Sequence, residues 1–203
     1  MKKLSFMKDA ITLFIITMLS GFMLGAVYEI TKEPIALAKE NEKKSAYKEV
    51  FPDATDFQKQ DDDSLINVNE SLPSQNFGKV NVSEVANAVD SSGSSLGYVI
   101  TSTSKDGFGG DVKISVGITK DKKLNGIAFL TLAETPGLGM KAKGEKFSSQ
   151  FKEKDASYLN VVKTGATKPD EIDAISGATI TSKAVTGAVN AAIYYVDKEV
   201  NHE

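Results

Sequence analysis

The chain has 203 residues, of which 41% are hydrophobic and 25% charged, as expected for a folded domain with additional segments. Its net charge of −3, with no basic stripe, argues against nucleic-acid binding. It has no cysteine and a single histidine, His202, which excludes disulfides and cysteine-ligated clusters, disfavours serine–histidine catalysis and predicts no metal site. All 24 basic residues are lysines, so no bidentate arginine can clamp a phosphate.

An uncharged segment near the N-terminus predicts a membrane-spanning helix. Ala10 to Tyr28 are about 19 residues without a charge, enough for a helix to cross a hydrocarbon core of about 30 Å. Lys2, Lys3 and Lys8 precede this segment, which favours a cytoplasmic N-terminus. We therefore predict a cytoplasmic tail over residues 1–9 and a single transmembrane helix over residues 10–30.

The competing interpretation is a cleaved signal peptide, because Ala36-Leu37-Ala38 resembles a small-residue cleavage site. However, the apolar segment is longer than the roughly 7–15 residues of a signal core. Charged residues also separate it from the alanines. We favour an uncleaved anchor, with the rest of the chain outside the cytoplasm.

Residues 31–79 are predicted to form a stalk and a polar linker. Pro34 suits the first turn of a helix that continues toward Tyr47. Residues 52–80 are rich in aspartate, glutamine, serine and asparagine, which is typical of a solvated connection.

From about residue 80 onward the patterns predict an α+β domain built on an antiparallel sheet. A strand is expected over 96–101, and alternation of apolar and polar residues predicts another over 112–118. A charged turn at 120–123 and a partner strand at 124–132 complete a hairpin. Apolar residues at helical spacing predict a helix over 181–200 that packs on the sheet, and a shorter one is expected over 146–154.

The segment from Asp173 to Thr179 reads D-x-x-S-G-A-T and directly precedes the long C-terminal helix. It places the Thr179 hydroxyl where free backbone N–H groups favour an anion such as a phosphate. A purely structural alternative makes Ser176 the N-cap of that helix. The two interpretations are compatible, because an N-terminus capped in this way still favours a phosphate.

Two further glycine-rich segments precede this motif, Gly107-Phe108-Gly109-Gly110 and Glu134-Thr135-Pro136-Gly137-Leu138-Gly139. Either segment alone is a weak signal, since turns between strands commonly contain glycine. With the D-x-x-S-G-A-T segment, in this order and at this spacing, they resemble the FMN-binding domain of the G subunits of Rnf complexes. They are also similar to the related C subunits of sodium-pumping NADH:quinone oxidoreductases.

That resemblance implies an FMN-binding domain over residues 80–203, with FMN phosphoester-linked to Thr179 by a separate flavin transferase. It implies that Asp173 is recognised by this transferase, while Ser176, Gly177 and Ala178 form a slim turn. It also implies that the loop after residue 133 borders the isoalloxazine ring through Glu134, Thr135, Gly137, Leu138 and Gly139. The histidine that this family often has shortly before the glutamate is absent here.

A second T-G-A-T sequence at residues 164–167 serves as an internal control. It has Val161 where the first motif has an acid, and Lys168-Pro169 follows instead of a helix. We therefore predict that Thr167 is not modified.

The function implied by the resemblance is an electron-transfer component of a membrane Rnf complex, not catalytic alone. Such complexes couple ferredoxin:NAD⁺ electron transfer to Na⁺ or H⁺ translocation. The implied partners are polytopic membrane subunits, iron–sulfur subunits and the transferase. The alternatives are a flavinylated carrier of the sodium-pumping quinone oxidoreductase or another extracytoplasmic reductase, and a non-redox membrane-anchored binding module.

Overall fold

The computed structural model describes residues 2–60, 64–163 and 165–199, so Thr164 and His202 lie outside the described residues. The chain divides into two compact units, Met1–Lys43 and Lys44–Glu203. The element that begins the chain, helix α1, spans Lys2–Val50. By length and composition, it is the one described helix that can cross a membrane.

Pro34 lies inside helix α1, where the sequence predicted a helix start. A proline within a helix removes one backbone hydrogen bond. The residues on both sides of Pro34 are helix formers, among them Ala36, Leu37, Ala38 and Lys39, so the helix continues through that single loss.

The second unit contains a five-stranded antiparallel sheet in which neighbours along the chain are neighbours in space. Its strands are β1 (Asp56–Lys59), β2 (Val80–Val89), β3 (Ser95–Ser104), β4 (Val112–Thr119) and β5 (Leu124–Leu132). Helix α2 (Ser64–Ser71) lies between β1 and β2 in sequence. Residues 56–59 and 64–75 therefore form a strand and helical segments instead of the predicted polar linker.

The remaining elements connect β5 to the C-terminal helix. They are α3 (Glu145–Ser148), which continues as a 3₁₀ turn over Ser149–Phe151, the parallel pair β6 (Asn160–Val162) and β7 (Glu171–Asp173), and α4 (Thr179–Glu199). The α+β class, the antiparallel sheet and the long C-terminal helix are confirmed.

Both faces of the sheet carry apolar residues, and each is covered by a different element. Helix α4 covers one face, where Val185, Val189 and Ile193 are fully buried with Ile100 and Ile114 of the sheet.

On the other face, Tyr47 and Val50 from the end of α1 pack with Ala86, Val99 and Ala128. Burial of a large apolar side chain contributes about 1.5–3 kcal/mol, so both layers stabilise the sheet and the first layer holds α4 against it.

Candidate functional site

Three loops meet at one end of the sheet around the side chain of Glu134, which is only 6% exposed. Its Oε1 accepts a hydrogen bond from the backbone N–H of Phe108, in the loop between β3 and β4, at 2.8 Å. Its Oε2 lies 2.7 Å from where a Cβ on Gly139 would stand, and Oγ1 of Thr181 lies 2.7 Å from that same point. The glycine-rich segments and the first turn of α4 therefore form one site.

The absence of a side chain at two glycines allows this close approach. A Cβ on Gly139 would collide with Glu134 and Thr181, and a Cβ on Gly109 would stand 2.0 Å from the carbonyl oxygen of Ala133. A larger residue at either position would push the loops apart.

The turn before α4 is held by Ser182, which lies in the helix itself. Its buried hydroxyl accepts the N–H of Ile175 at 2.9 Å and donates to the carbonyl of Ala178 at 3.0 Å. The N–H of Ala178 bonds to the carbonyl of Ile175 at 2.9 Å. Gly177 has φ of +79°, a backbone conformation that favours glycine.

The helix begins at Thr179, so Ala178 is the residue immediately before it. Ser176 is exposed and stands two residues further out, which contradicts its assignment as the N-cap. Ser182 stabilises the turn from inside the helix instead. A serine in an otherwise apolar stripe was the sequence signal for this role.

Thr179 is half-buried, and its hydroxyl makes no hydrogen bond with any residue that the structure describes. The backbone N–H groups of the first helical turn have no partner within a helix, and the helix dipole makes this end positive. A phosphate carried by this hydroxyl therefore suits its surroundings.

Two of the loops and the first turn of α4 each present one large apolar side chain to solvent. Phe108 is 71% exposed, Leu138 44% and Ile180 53%. Leu138 reaches the turn before α4, where its Cδ2 lies 3.1 Å from the position a Cβ on Gly177 would take. Exposed apolar groups clustered around a polar anchor are typical of a surface that receives a flat aromatic ligand.

The loop from Glu134 to Gly139 contributes to the site through its backbone. The carbonyl of Thr135 accepts the N–H of Leu138 at 3.1 Å and that of Met140 at 3.3 Å. Thr135 and Gly137 are exposed. Glu134 is buried and accepts the N–H of Phe108, and its contact with the polar edge of a flavin, which the family resemblance implies, stays a prediction.

Asp173 does not contact Thr179; its carboxylate is directed to the second T-G-A-T segment. Oδ1 of Asp173 accepts the N–H of Ala166 at 2.9 Å. Its backbone N–H donates to Oε1 of Gln150 at 2.7 Å. Asp173 is therefore fixed by the 3₁₀ turn on one side and by the neighbouring loop on the other.

Glu171 encloses the same loop. Its Oε2 accepts the backbone N–H of Thr167 at 2.9 Å and of Lys168 at 3.2 Å, and lies 3.4 Å from the Thr167 hydroxyl. These backbone hydrogen bonds, chiefly that from Thr167, hold the pKa of Glu171 below its usual value. A phosphate on Thr167 would meet this carboxylate, whereas no described acid contacts the Thr179 hydroxyl.

Across the described ranges, no group of three or more histidine, aspartate or glutamate side chains is arranged to hold a metal ion. The chemistry that the site offers is thus a hydroxyl at a positive helix end beside an apolar surface.

Residues 107–194, which contain all three loops, match the model of the FMN-binding domain family. The second half of the chain is a flavin-binding domain of that family.

Three relatives extend the likeness to nearly the whole chain. The G subunit of the proton-translocating ferredoxin:NAD(+) oxidoreductase complex of Clostridium ljungdahlii is 35% identical over 93% of this chain and 94% of its own. The G subunit of the Na(+)-translocating ferredoxin:NAD(+) oxidoreductase complex of Acetobacterium woodii is 33% identical over 92% of this chain and 89% of its own. The G subunit of the ion-translocating oxidoreductase complex of Methanosarcina acetivorans is 30% identical over 95% of each chain.

The chain therefore belongs to the family of G subunits of Rnf-type ion-translocating oxidoreductase complexes. An electron-transport role with FMN as cofactor follows from this membership, as does anchoring in a membrane through α1. A solved structure, the C subunit of the Na(+)-translocating NADH-quinone reductase of Parabacteroides distasonis, matches 59% of this chain and 61% of its own. It does so with 30% identity and a TM-score of 0.46.

Proposed function

We propose that Thr179 carries FMN through a phosphoester bond and that the loaded domain relays electrons within an Rnf complex. The bond would be formed by a separate Mg²⁺-dependent flavin transferase acting on FAD. The threonine oxygen attacks the phosphorus of the FMN half, the bond to AMP breaks, and the hydroxyl proton is released with AMP. Because an isolated threonine hydroxyl is a weak nucleophile, the transferase supplies the activation.

The contrast between the two T-G-A-T segments supports Thr179 as the attachment site. The Thr179 hydroxyl has no partner among the described residues, and Thr179 is the first residue of a 21-residue helix. The Thr167 hydroxyl lies beside Glu171 and no helix follows it. A negatively charged phosphoester suits the first environment and is repelled by the second.

The residues around Thr179 also suit the ring system of FMN. Phe108, Leu138 and Ile180 offer exposed apolar surface, and Leu138 reaches the turn before Thr179. When bound, FMN supplies the redox chemistry, and the protein contributes orientation and the electrostatic environment of the ring. A covalent link would keep the cofactor in place outside the cytoplasm.

The assignment of the side of the membrane rests on the lysines before the apolar segment, Lys2, Lys3 and Lys8. They favour a cytoplasmic N-terminus, which would put the FMN domain outside the cytoplasm. There it would carry electrons between other subunits of a complex that transfers electrons from ferredoxin to NAD⁺. The relatives include components of both proton-translocating and Na⁺-translocating complexes, so the proposal covers either coupling ion.

Mass spectrometry of the full chain, coexpressed with a flavin transferase, tests the attachment. We expect a mass gain of one FMN minus water on the Thr179 peptide. The gain should be absent in Thr179→Val and unchanged in the matched control Thr167→Val. Modification of Thr167 alone, or of neither threonine, would refute the proposal.

A further inference from the structure

The buried carboxylate of Glu134 has no role in the attachment chemistry, although it lies at the centre of the site. It is 6% exposed and accepts a hydrogen bond from the Phe108 backbone N–H at 2.8 Å. No ion pair joins it to a lysine anywhere in the described ranges. A buried carboxylate without a cation is uncommon, because desolvation of a charge is costly.

The carboxylate contacts the 107–110 loop and packs against Gly139 of its own loop, close to the first turn of α4. Oε1 lies 3.1 Å from where a Cβ on Gly107 would stand. Oε2 and the hydroxyl oxygen of Thr181, in the first turn of α4, both approach the Cβ position of Gly139 to 2.7 Å. One side chain therefore joins the 107–110 loop to the 134–139 loop, and Thr181 of the first turn of α4 approaches Gly139 as well.

We propose that Glu134 is a positioning residue that fastens the 107–110 loop to the 134–139 loop next to the first turn of α4, and that it keeps a buried negative charge beside the flavin, so that the flavin has a lower midpoint potential. This inference rests on the proposed attachment of FMN to Thr179. It assigns to Glu134 a role besides the contact with the polar edge of the ring that the family resemblance implies.

The physical reason is electrostatic. Reduction adds electrons to the ring, so a fixed negative charge nearby disfavours the reduced form. Charges buried in protein are screened less by solvent and salt than surface charges, and their effect extends further. The positive end of α4 acts in the opposite direction, so the observed potential reflects the balance of the two.

Two variants distinguish the effect of the negative charge of Glu134 from the effect of its hydrogen bond to the Phe108 N–H. Glu134→Gln removes the charge but keeps an oxygen that can accept the Phe108 N–H, whereas Glu134→Ala removes both. Glu145→Gln, an exposed carboxylate on α3, is the matched control. All are prepared as the full chain in detergent after coexpression with a flavin transferase.

The first measurement is the midpoint potential of the flavinylated proteins. We expect Glu134→Gln to retain flavin on Thr179 and to shift the potential to a more positive value, while Glu145→Gln matches the wild type. An unchanged potential in Glu134→Gln, or an equal shift in Glu145→Gln, would overturn the electrostatic part of the proposal.

The second measurement is hydrogen exchange of the same proteins without flavin, which does not depend on attachment. Peptides covering residues 107–110 should exchange about tenfold faster in Glu134→Ala, because a hydrogen bond to a charged group is lost. They should remain protected in Glu134→Gln. Wild-type exchange in Glu134→Ala would refute the fastening role, whereas absence of flavin from the wild type would refute only the proposed attachment.

Discussion

Asp173 and Ala166 are joined by a hydrogen bond of 2.9 Å from the backbone N–H of Ala166 to Oδ1 of Asp173. The acid of the D-x-x-S-G-A-T motif thus orders the loop that contains the second T-G-A-T sequence. Asp173 stands six residues before Thr179 in sequence, and its carboxylate points to a different segment. A role of Asp173 in the attachment of FMN to Thr179 would therefore have to pass through another molecule or through the loop.

Asp173→Asn and Asp173→Ala should distinguish these two routes. Asp173→Asn keeps the acceptor oxygen, so we expect the unfolding free energy of this variant to stay within about 0.5 kcal/mol of the wild type. Alanine leaves the Ala166 N–H without its partner and should cost about 1–2 kcal/mol in chemical denaturation. If a flavin transferase recognises the charge of Asp173, as proposed from the family resemblance, both variants should lose most FMN attachment; full attachment in Asp173→Asn would contradict this.

The stability of the loop that Glu171 holds, which contains Thr167 and Lys168, should depend on pH. A depressed pKa means that folding favours the ionised carboxylate, so its contribution is present above the usual glutamate pKa of about 4.3 and is lost as the pH falls through the lower folded value. The protection of the Thr167 and Lys168 amides, measured as exchange relative to the intrinsic rate at each pH, should therefore fall below about pH 4. Glu171→Gln should not show this change with pH. An identical change in that variant would show that another titrating group causes it.

Ser182→Ala should destabilise the turn that presents Thr179. The substitution removes both hydrogen bonds of the hydroxyl and leaves the N–H of Ile175 without an acceptor. We expect a loss of about 1–3 kcal/mol in unfolding free energy, together with slower attachment of FMN. Ser148→Ala removes a half-buried helical serine whose hydroxyl donates one long hydrogen bond, at 3.3 Å, to the carbonyl of Gly144, and should change stability by less than about 0.5 kcal/mol. Equal effects of the two substitutions would argue against a special role for Ser182.

Tyr47 should make the protein sensitive to alkali. Burial, and then the charge of Glu84, raise the pKa of Tyr47 to about 12 in spite of its hydrogen bond with Thr101. A raised pKa contributes stability that is complete below the unfolded value of about 10 and is lost as the pH rises toward 12. Between pH 9 and about 12, the unfolding free energy of Tyr47→Phe, measured by thermal unfolding, should fall by roughly 2 kcal/mol less than that of the wild type. A parallel decline in both proteins would contradict this assignment.

Local patterns in the sequence were sufficient for much of the fold. Alternating residues at 112–118, the charged turn at 120–123 and the apolar stripe from Ala184 to Val196 predicted β4, the β4–β5 hairpin and α4. Strand β2 was not predicted, because its apolar and polar residues do not alternate regularly and its pairing with β3 is irregular after Val82. The parallel pair β6–β7 has only three residues in each strand and no periodic signal.

The site was predictable only in part, for the same reason. The glycine-rich segments and Thr179 are visible as motifs, but a motif does not state which groups its side chains will meet. The inward position of Glu134, the turn held by Ser182 and the direction of Asp173 all depend on contacts between residues distant in sequence. Such contacts arise from packing, which sequence spacing does not encode directly.

The sequence by itself determined the membrane anchor, the α+β class, the absence of cysteine and arginine chemistry, and the position of Thr179 at a helix start. These follow from composition and from periodicities along the chain. Only the tertiary structure decided that the three glycine-rich loops meet around one buried carboxylate. It also decided that the Thr167 hydroxyl lies beside an acid, while the described residues offer no partner to the Thr179 hydroxyl. The physical reason is that the sheet and α4 bring together groups more than 70 residues apart, from Phe108 to Thr181.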